Sequence, residues 1–450
     1  METWKTIDIK VSVIMPIRNT VSYIRECMES LINQTLKEIE ILCIDAESTD
    51  GTREILQEYA DKDNRVHIYE DKKGSTGYAN NYGMQKAKGE YMAIVEPDDF
   101  VALDMYEKLY EAAKENNADV VRADYKIFFG NGESREYFEK AVACIGDYGR
   151  LLDATAEQRL FKNDMSTWAG IYRLGFLREN HICHNETPGA AYQDNGFWFL
   201  VMAHAKRLYY LSVSGYRYRM DNPGSSVHNR RKVFAICDEY EFIAEYMQQE
   251  EIYEKFEDIY LWAKFIRYLS SYYRLDDALK REFAERFALE MKGHYGNSEL
   301  MQEEVEKEKA GSTGQRIGQF SNGQIRLLHE LLEGGQIFHE HIMEEKAQFH
   351  RLIESDKVLV QYGCGSDGFR LMNYMRETGC LNRVECLCDG NPKLWGSEIF
   401  GKRVCSLDEV KKRYPEAEYL VTSINCEDEI RRFLIDQGIK NRNIHVACFC

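Results

Sequence analysis

Short, unbroken apolar runs alternate with amphipathic stretches through the first hundred residues. "IKVSVIM" (9–15) predicts a buried strand, which Pro16 ends. "TVSYIRECMESLINQT" then places Val21, Ile24, Met28, Leu31 and Ile32 on one helical face. "IEILCID" predicts the next strand, followed by the turn "AESTDG" and a helix over about 52–60. "RVHIYE" is a third strand before the Gly-rich "KKGSTGYANNYG", and "YMAIVEPDDF" (91–100) carries the fourth. Continuous apolar strands alternating with helices predict an α/β fold with a mainly parallel sheet covered on both faces. Ligands of such sheets bind beyond the carboxyl ends of the strands. Pro16, Asp45 and the cluster Glu96–Asp99 each follow a strand end, so they converge on one edge.

Beyond residue 100 the pattern loosens. "ADVVRADYKIFF" and "RLYYLSVSGYRYRM" are strand-like, and the chain is helical and aromatic from about 230 to 292. A polar stretch near 293–323 reads as a linker, and more helix follows to residue 354. At Lys357 a strand-turn-helix-strand unit begins. It places Gly363, Gly365 and Gly368 between a strand and a helix, with Asp389 ending the next strand 21 residues past Gly368. That is the setting of a dinucleotide-binding turn, in which glycines admit a diphosphate and an acid takes a ribose hydroxyl. The same glycines also serve packing alone. Three segments result: 1–227, a helical region 228–354, and 355–450.

Charge narrows the functional classes. The 450-residue chain carries a formal net charge of −17, which argues against nucleic acid and anionic membrane surfaces as partners. No apolar run approaches the roughly 18–20 residues of a membrane span. The first residues lack the basic start and apolar core of a signal peptide, so the expected location is cytoplasmic. The 13 cysteines form no CxxC pair, and eight of them follow residue 360. They read as reduced, small hydrophobic residues.

The acids of "EPDDF" pose the chemical question. Three carboxylates in four residues repel one another. Either they form a solvated turn or they are gathered to hold a cation.

Four motifs in order answer it. "VSVIMPIRN", "SLINQTLKEIEILCIDAESTDGT", "AKGEYMAIVEPDDFV" and "AAYQDNGFWF" together resemble the family-2 glycosyltransferases, which have the nucleotide-sugar-binding GT-A fold. The resemblance covers about residues 10–227. It implies a metal-assisted, inverting transfer of a sugar from a nucleotide-sugar donor, most often a UDP-sugar, to a hydroxyl of a glycan or lipid-linked acceptor, in bacterial surface-polysaccharide assembly. It places Asp98 and Asp99 at a Mn²⁺ or Mg²⁺ ion, with the direct ligand left open between them, and Asp194 as the general base. It places Pro16, Arg18, Asn19, Asp45, Glu47, Asp98 and Trp168 around the nucleotide-sugar, with Tyr192 as a further wall.

Those residues also have plainer readings. Asp194 precedes the apolar "GFWFLVMA", where an N-cap is common, and Trp168 and Tyr192 serve equally as packing. The chain departs from the family at Glu96, Ala46 and Asn80–Asn81, where an Asp, a second acid and an Arg are usual. Glu47 or Asp50 could replace the missing acid, and Arg18, Lys72 or Lys73 the missing cation. Two rival functions remain: an inactive nucleotide-sugar-binding scaffold, and an oxidoreductase using NAD(P) at Gly363, Gly365, Gly368 and Asp389.

Overall fold

A computed structural model describes residues 9–130, 132, 135–224, 232–295, 320–422 and 427–447. The backbone divides into two compact units, Met1–Ala263 and Lys264–Cys450. The boundary falls within the helix Tyr253–Arg274.

The first unit is a mixed α/β structure built on one ten-stranded sheet. Its first half follows the apolar runs: β1 (Val11–Ile17), α1 (Ile24–Ile32), β2 (Ile39–Asp45), α2 (Thr52–Ala60), β3 (Val66–Glu70), α3 (Thr76–Lys86) and β4 (Tyr91–Ile94). β1, β2 and β4 are buried throughout, and β3, β2, β1 and β4 pair in parallel. Then come β5 (Phe100–Val101), α4 (Met105–Glu115), β6 (Val120–Phe129), β7 (Glu136–Lys140), β8 (Leu151–Leu152), β9 (Gly170–Arg173), α5 (Leu174–Glu179), α6 (Gln193–His204), β10 (Leu208–Arg219) and α7 (Ala235–Gln249). The spatial order is β3-β2-β1-β4-β9-β6-β10-β5. β9 runs antiparallel to both β4 and β6, and β10 returns parallel to β6.

Two local expectations are corrected. Pro16 does not end β1, which runs on to Ile17. The amide of Val95 donates to Ile14 O, and that of Ala46 to Ile17 O. Neighbouring residues point to opposite sides of a strand, so Pro16 faces the β4 side beyond the last residue of β4, where no donor is required. Val21 is 38% exposed and precedes α1, so it does not share the buried face of Ile24, Met28 and Leu31.

The second unit holds the helices Asp277–Tyr295, Asn322–Glu333 and Gly335–Glu354, then a six-stranded sheet. Its strands are β11 (Leu359–Tyr362), β12 (Val384–Cys388), β13 (Glu398–Ile399), β14 (Lys402–Cys405), β15 (Glu418–Val421) and β16 (Ile444–Val446). They lie in the order β13-β14-β12-β11-β15-β16, all parallel except the β13–β14 hairpin. Cys386, Cys388 and Cys405 sit in its apolar core beside Val360, Tyr419 and Leu434, as small hydrophobes do. Most of the expected linker (296–319), and Cys426, Cys448 and Cys450, lie outside the described residues.

Candidate active site

The loops at the carboxyl ends of β1 and β2 are laced together. Asn19 donates its amide to Ser48 Oγ (2.9 Å) and accepts from the Thr49 amide through Oδ1 (2.9 Å). Asp50 accepts from the Val21 amide and from the amide and hydroxyl of Thr52. It therefore ties the two loops together. Asp45, 2% exposed at the end of β2, accepts from Ser48 Oγ (2.6 Å) and pairs with Arg53 (3.3 Å). Glu47 is exposed, with φ of 52°. Asn19 has φ of 51°. Left-handed backbone at non-glycine residues is strained and gathers at functional loops.

The next strand end over, β4, leads into the acids. Asp99, 1% exposed, has both oxygens engaged: Tyr216 donates its hydroxyl to Oδ2 (2.7 Å), and the Arg219 amide donates to Oδ1 (2.7 Å). Burial first, and the Asp98 charge second, push its carboxyl well above the ordinary range. Asp99 thus ties the β4 loop to β10. Removing the tyrosine hydroxyl in Tyr216→Phe leaves a buried carboxyl oxygen without its donor. The expected loss is about 1–3 kcal/mol of stability, read by denaturant unfolding.

Asp98 differs. It is half-buried, and Asn222 donates to its Oδ2 (2.7 Å). Its Oδ1 takes no hydrogen bond, and no cationic side chain pairs with it, among the described residues. Arg219 is close, but its Nε donates to the Asp98 carbonyl (3.0 Å) and its Nη2 to Glu26 (3.2 Å). Glu96 registers the resulting negative field. Burial, then Asp98 and Asp194, drive its carboxyl up to about 8. Among the described residues no three His, Cys, Asp or Glu side chains form a ready-made metal cage.

Asp194 arrives from across the sheet. The segment before it is stitched to α3: Ser75 Oγ donates to Thr187 O, Gly189 N to Gly74 O, and Asn81 Nδ2 to His184 O. Asn81 is therefore part of the scaffold, and Lys73 is paired with Glu186 (2.6 Å). The exposed Arg18 places Nη1 beside Gly74, 3.8 Å from where a Cβ would stand. The chain enters α6 through Tyr192, whose φ is 63°. Asp194 is exposed in the first turn of α6 and makes no capping bond, so the N-cap reading fails. Its charge reaches Glu96 and Tyr218.

An aromatic wall flanks these acids. The Trp168 ring stacks on Tyr216 (4.2 Å between centroids) and Tyr218 (5.0 Å), and meets Tyr125 edge-on (4.7 Å). Arg122, fully buried, steadies the segment before Trp168 by donating to the carbonyls of Asp164 (2.6 Å) and Ser166 (2.7 Å). Tyr216, Tyr218, Arg219 and Asn222 were not foreseen as site residues. The alternating aromatics of "GYRYRM" were the only signal, and they read equally well as half-buried strand.

In the second unit, Gly363 has φ of 99°, and a Cβ on Gly368 would stand 2.1 Å from Gly363 O. Gly365 precedes the helix Ser366–Glu377. Asp389 accepts from the amides of Cys364 (2.7 Å) and Asn391 (2.8 Å), so the acid braces the glycine turn from inside.

Comparison with known proteins bears on the first unit. Residues 12–179 match the family described as glycosyl transferase family 2. Glycosyltransferase GlyA of Streptococcus pneumoniae serotype 4 is 28% identical over 221 residues, 48% of this chain and 31% of that protein. The poly(ribitol-phosphate) beta-glucosyltransferase of Bacillus spizizenii is 28% identical over 220 residues, 48% of this chain and 33% of that protein. The chain spans well under two thirds of the length of both. Among solved structures, S. aureus TarS 1-349 in complex with UDP-GlcNAc has a TM-score of 0.49 at 20% identity, covering 76% of this chain and 92% of that one. Among the described residues no helix is long and apolar enough to cross a membrane.

Proposed function

We propose that the protein transfers a sugar from a nucleotide-sugar donor, a UDP-sugar, to an acceptor hydroxyl with inversion, and that it serves assembly of a bacterial surface polysaccharide. The observation that carries this reading is the contrast between two adjacent acids at the end of β4. Asp99 has both oxygens held by the fold, while Asp98, among the described residues, keeps one oxygen without a hydrogen bond and lies close enough to Glu96 and Asp194 for their charges to act together.

The donor set suits Mn²⁺ or Mg²⁺, which prefer oxygen ligands and need few from protein when a diphosphate brings more. Asp98 would hold the ion, and the ion would supply positive charge to the diphosphate as it leaves. The chain's own residues do the rest. Asp45 lies two strands from Asp98 along the edge, roughly 10 Å by strand spacing, and receives the base and ribose. Asn19 and Glu47 shape that end, and Arg18, beside Gly74, faces the phosphates. Trp168 and Tyr218 wall the sugar. Asp194 takes the proton from the acceptor hydroxyl as its oxygen bonds to the anomeric carbon and the bond to the diphosphate breaks. The second unit is an accessory Rossmann-like domain: numbered within itself, its parallel strands follow the order 3-2-1-4-5.

A thermal-shift screen with UDP, GDP, CDP and dTDP, each with Mn²⁺, tests the nucleotide assignment. UDP is expected to raise the melting temperature most, and EDTA to cancel that rise, because a ligand stabilises the state it binds. No shift with any of the four would sink the reading. A shift with NADH or NADPH but not with these four would move the function to the second unit.

A further inference from the structure

Helix α6 carries Asp194 but has no cap of its own. The residue at its N-cap position, Tyr192, offers no side-chain bond to the first turn. The Asn195 amide takes the Tyr192 carbonyl (2.8 Å), leaving the Gly196 amide to find another acceptor. It finds one 43 residues away: Glu239 on α7 accepts from Gly196 N through Oε1 at 2.8 Å. Glu239 is 1% exposed. A Cβ on residue 196 would stand 2.3 Å from Glu239 Oε1, so a side chain there would displace the carboxyl from the Gly196 amide. On its other side the first turn is held by Gln193, which donates to Thr187 O, Thr187 Oγ1 and Gly189 O.

We propose that Glu239 is a positioning residue that caps α6 from the neighbouring helix and so fixes the Asp194 carboxylate in the cleft. The inference rests on the reading of Asp194 as the general base. An acid in this role is unusual, because it buries a carboxyl close to the carboxylate it positions. Asp194 faces it from α6, Asp238 is its neighbour on α7, and the Cys183 thiol lies within its field. Burial first, with the Asp194 and Asp238 charges adding to it against hydrogen bonds from the Gly196 amide and the Asn185 side chain, raises the Glu239 carboxyl to about 8. It therefore stays largely protonated at neutral pH and caps without adding a second charge beside the base.

The sign of the pH effect follows. Below the ordinary carboxyl value of 4.5, Glu239 is protonated in both folded and unfolded chains. Between 4.5 and about 8 the folded chain keeps a proton that the unfolded chain releases, so folding is progressively disfavoured as pH rises. Glu239→Gln, which keeps an acceptor for Gly196 and cannot ionise, is expected to gain in melting temperature over wild type across that window, with no further gain above it.

The deciding experiment compares full-length wild type, Glu239→Gln, Glu239→Ala and Asp194→Asn by hydrogen-deuterium exchange and by UDP-sugar hydrolysis with Mn²⁺. Glu239→Ala is expected to speed exchange over residues 192–197 and to lower kcat about 10- to 100-fold, with KM within twofold, as a small displacement of a catalytic group does. Glu239→Gln is expected to keep slow exchange and near-normal kcat. Unchanged exchange in Glu239→Ala, or a loosened turn with unchanged kcat while Asp194→Asn is inactive, would overturn the proposal. Full activity in Asp194→Asn would instead remove the base assignment, and the capping role would stand or fall on the exchange data.

Discussion

Asp194→Asn lowers kcat for sugar transfer by about 10²–10⁴-fold, the usual range for a lost general base, and leaves UDP binding within twofold. The expectation rests on placement. Among the described residues Asp194 is exposed, takes a side-chain hydrogen bond only from its neighbour Asn195 (2.9 Å), and stands in the first turn of α6. Asparagine keeps the shape and that bond but cannot take a proton. Binding should be spared because Asp45 and Asp98, the residues proposed to meet the nucleotide, lie at other strand ends. The check is steady-state kinetics with the preferred donor, alongside calorimetric titration of UDP.

Asp98→Asn has the opposite signature. It removes a charged oxygen from the proposed metal position while retaining a partner for Asn222. Mn²⁺-dependent UDP affinity is expected to fall by about 10- to 100-fold, as it does when outer or inner ligands of a metal site are lost, and activity falls with it. Stability should change little, because Asp98, unlike Asp99, supports no strand. Asp99→Asn should do the reverse. It disturbs the bonds from Tyr216 and Arg219, and so lowers the melting temperature along with activity. Melting curves and UDP titrations of both variants separate ligand from support.

Much of the first half of this unit was legible in the sequence. β1 to β4 are continuous apolar runs, and buried parallel strands announce themselves that way. The strand ends then placed Asp45 and the Glu96–Asp99 cluster on one edge without further information. The second half was harder to read. β9 inserts antiparallel between β4 and β6, and β10 shifts register between Leu211 and Tyr216, so neither follows a simple repeat. Pro16 misled because its effect depends on where the neighbouring strand stops, which no local pattern records. The division of labour between Asp98 and Asp99 was equally hidden. It depends on Tyr216 and Arg219, more than a hundred residues away. Glu239 had no signal at all, since its cap partner lies on another helix.

The second unit shows where a motif match stops. The glycine spacing predicted the strand-turn-helix correctly, and Gly363 and Gly368 occupy positions that exclude larger residues. Asp389, the acid expected at a ribose, accepts from the amides of Cys364 and Asn391. The same residues therefore build the turn without calling for a dinucleotide.

The most direct test is donor hydrolysis across a panel of nucleotide sugars with Mn²⁺, in wild type, Asp98→Asn and Asp194→Asn. The account predicts turnover of a UDP-sugar by the wild type, suppressed in both variants, with UDP affinity near wild type in Asp194→Asn and lowered in Asp98→Asn. Absence of turnover with every donor, or turnover untouched by both substitutions, would contradict it.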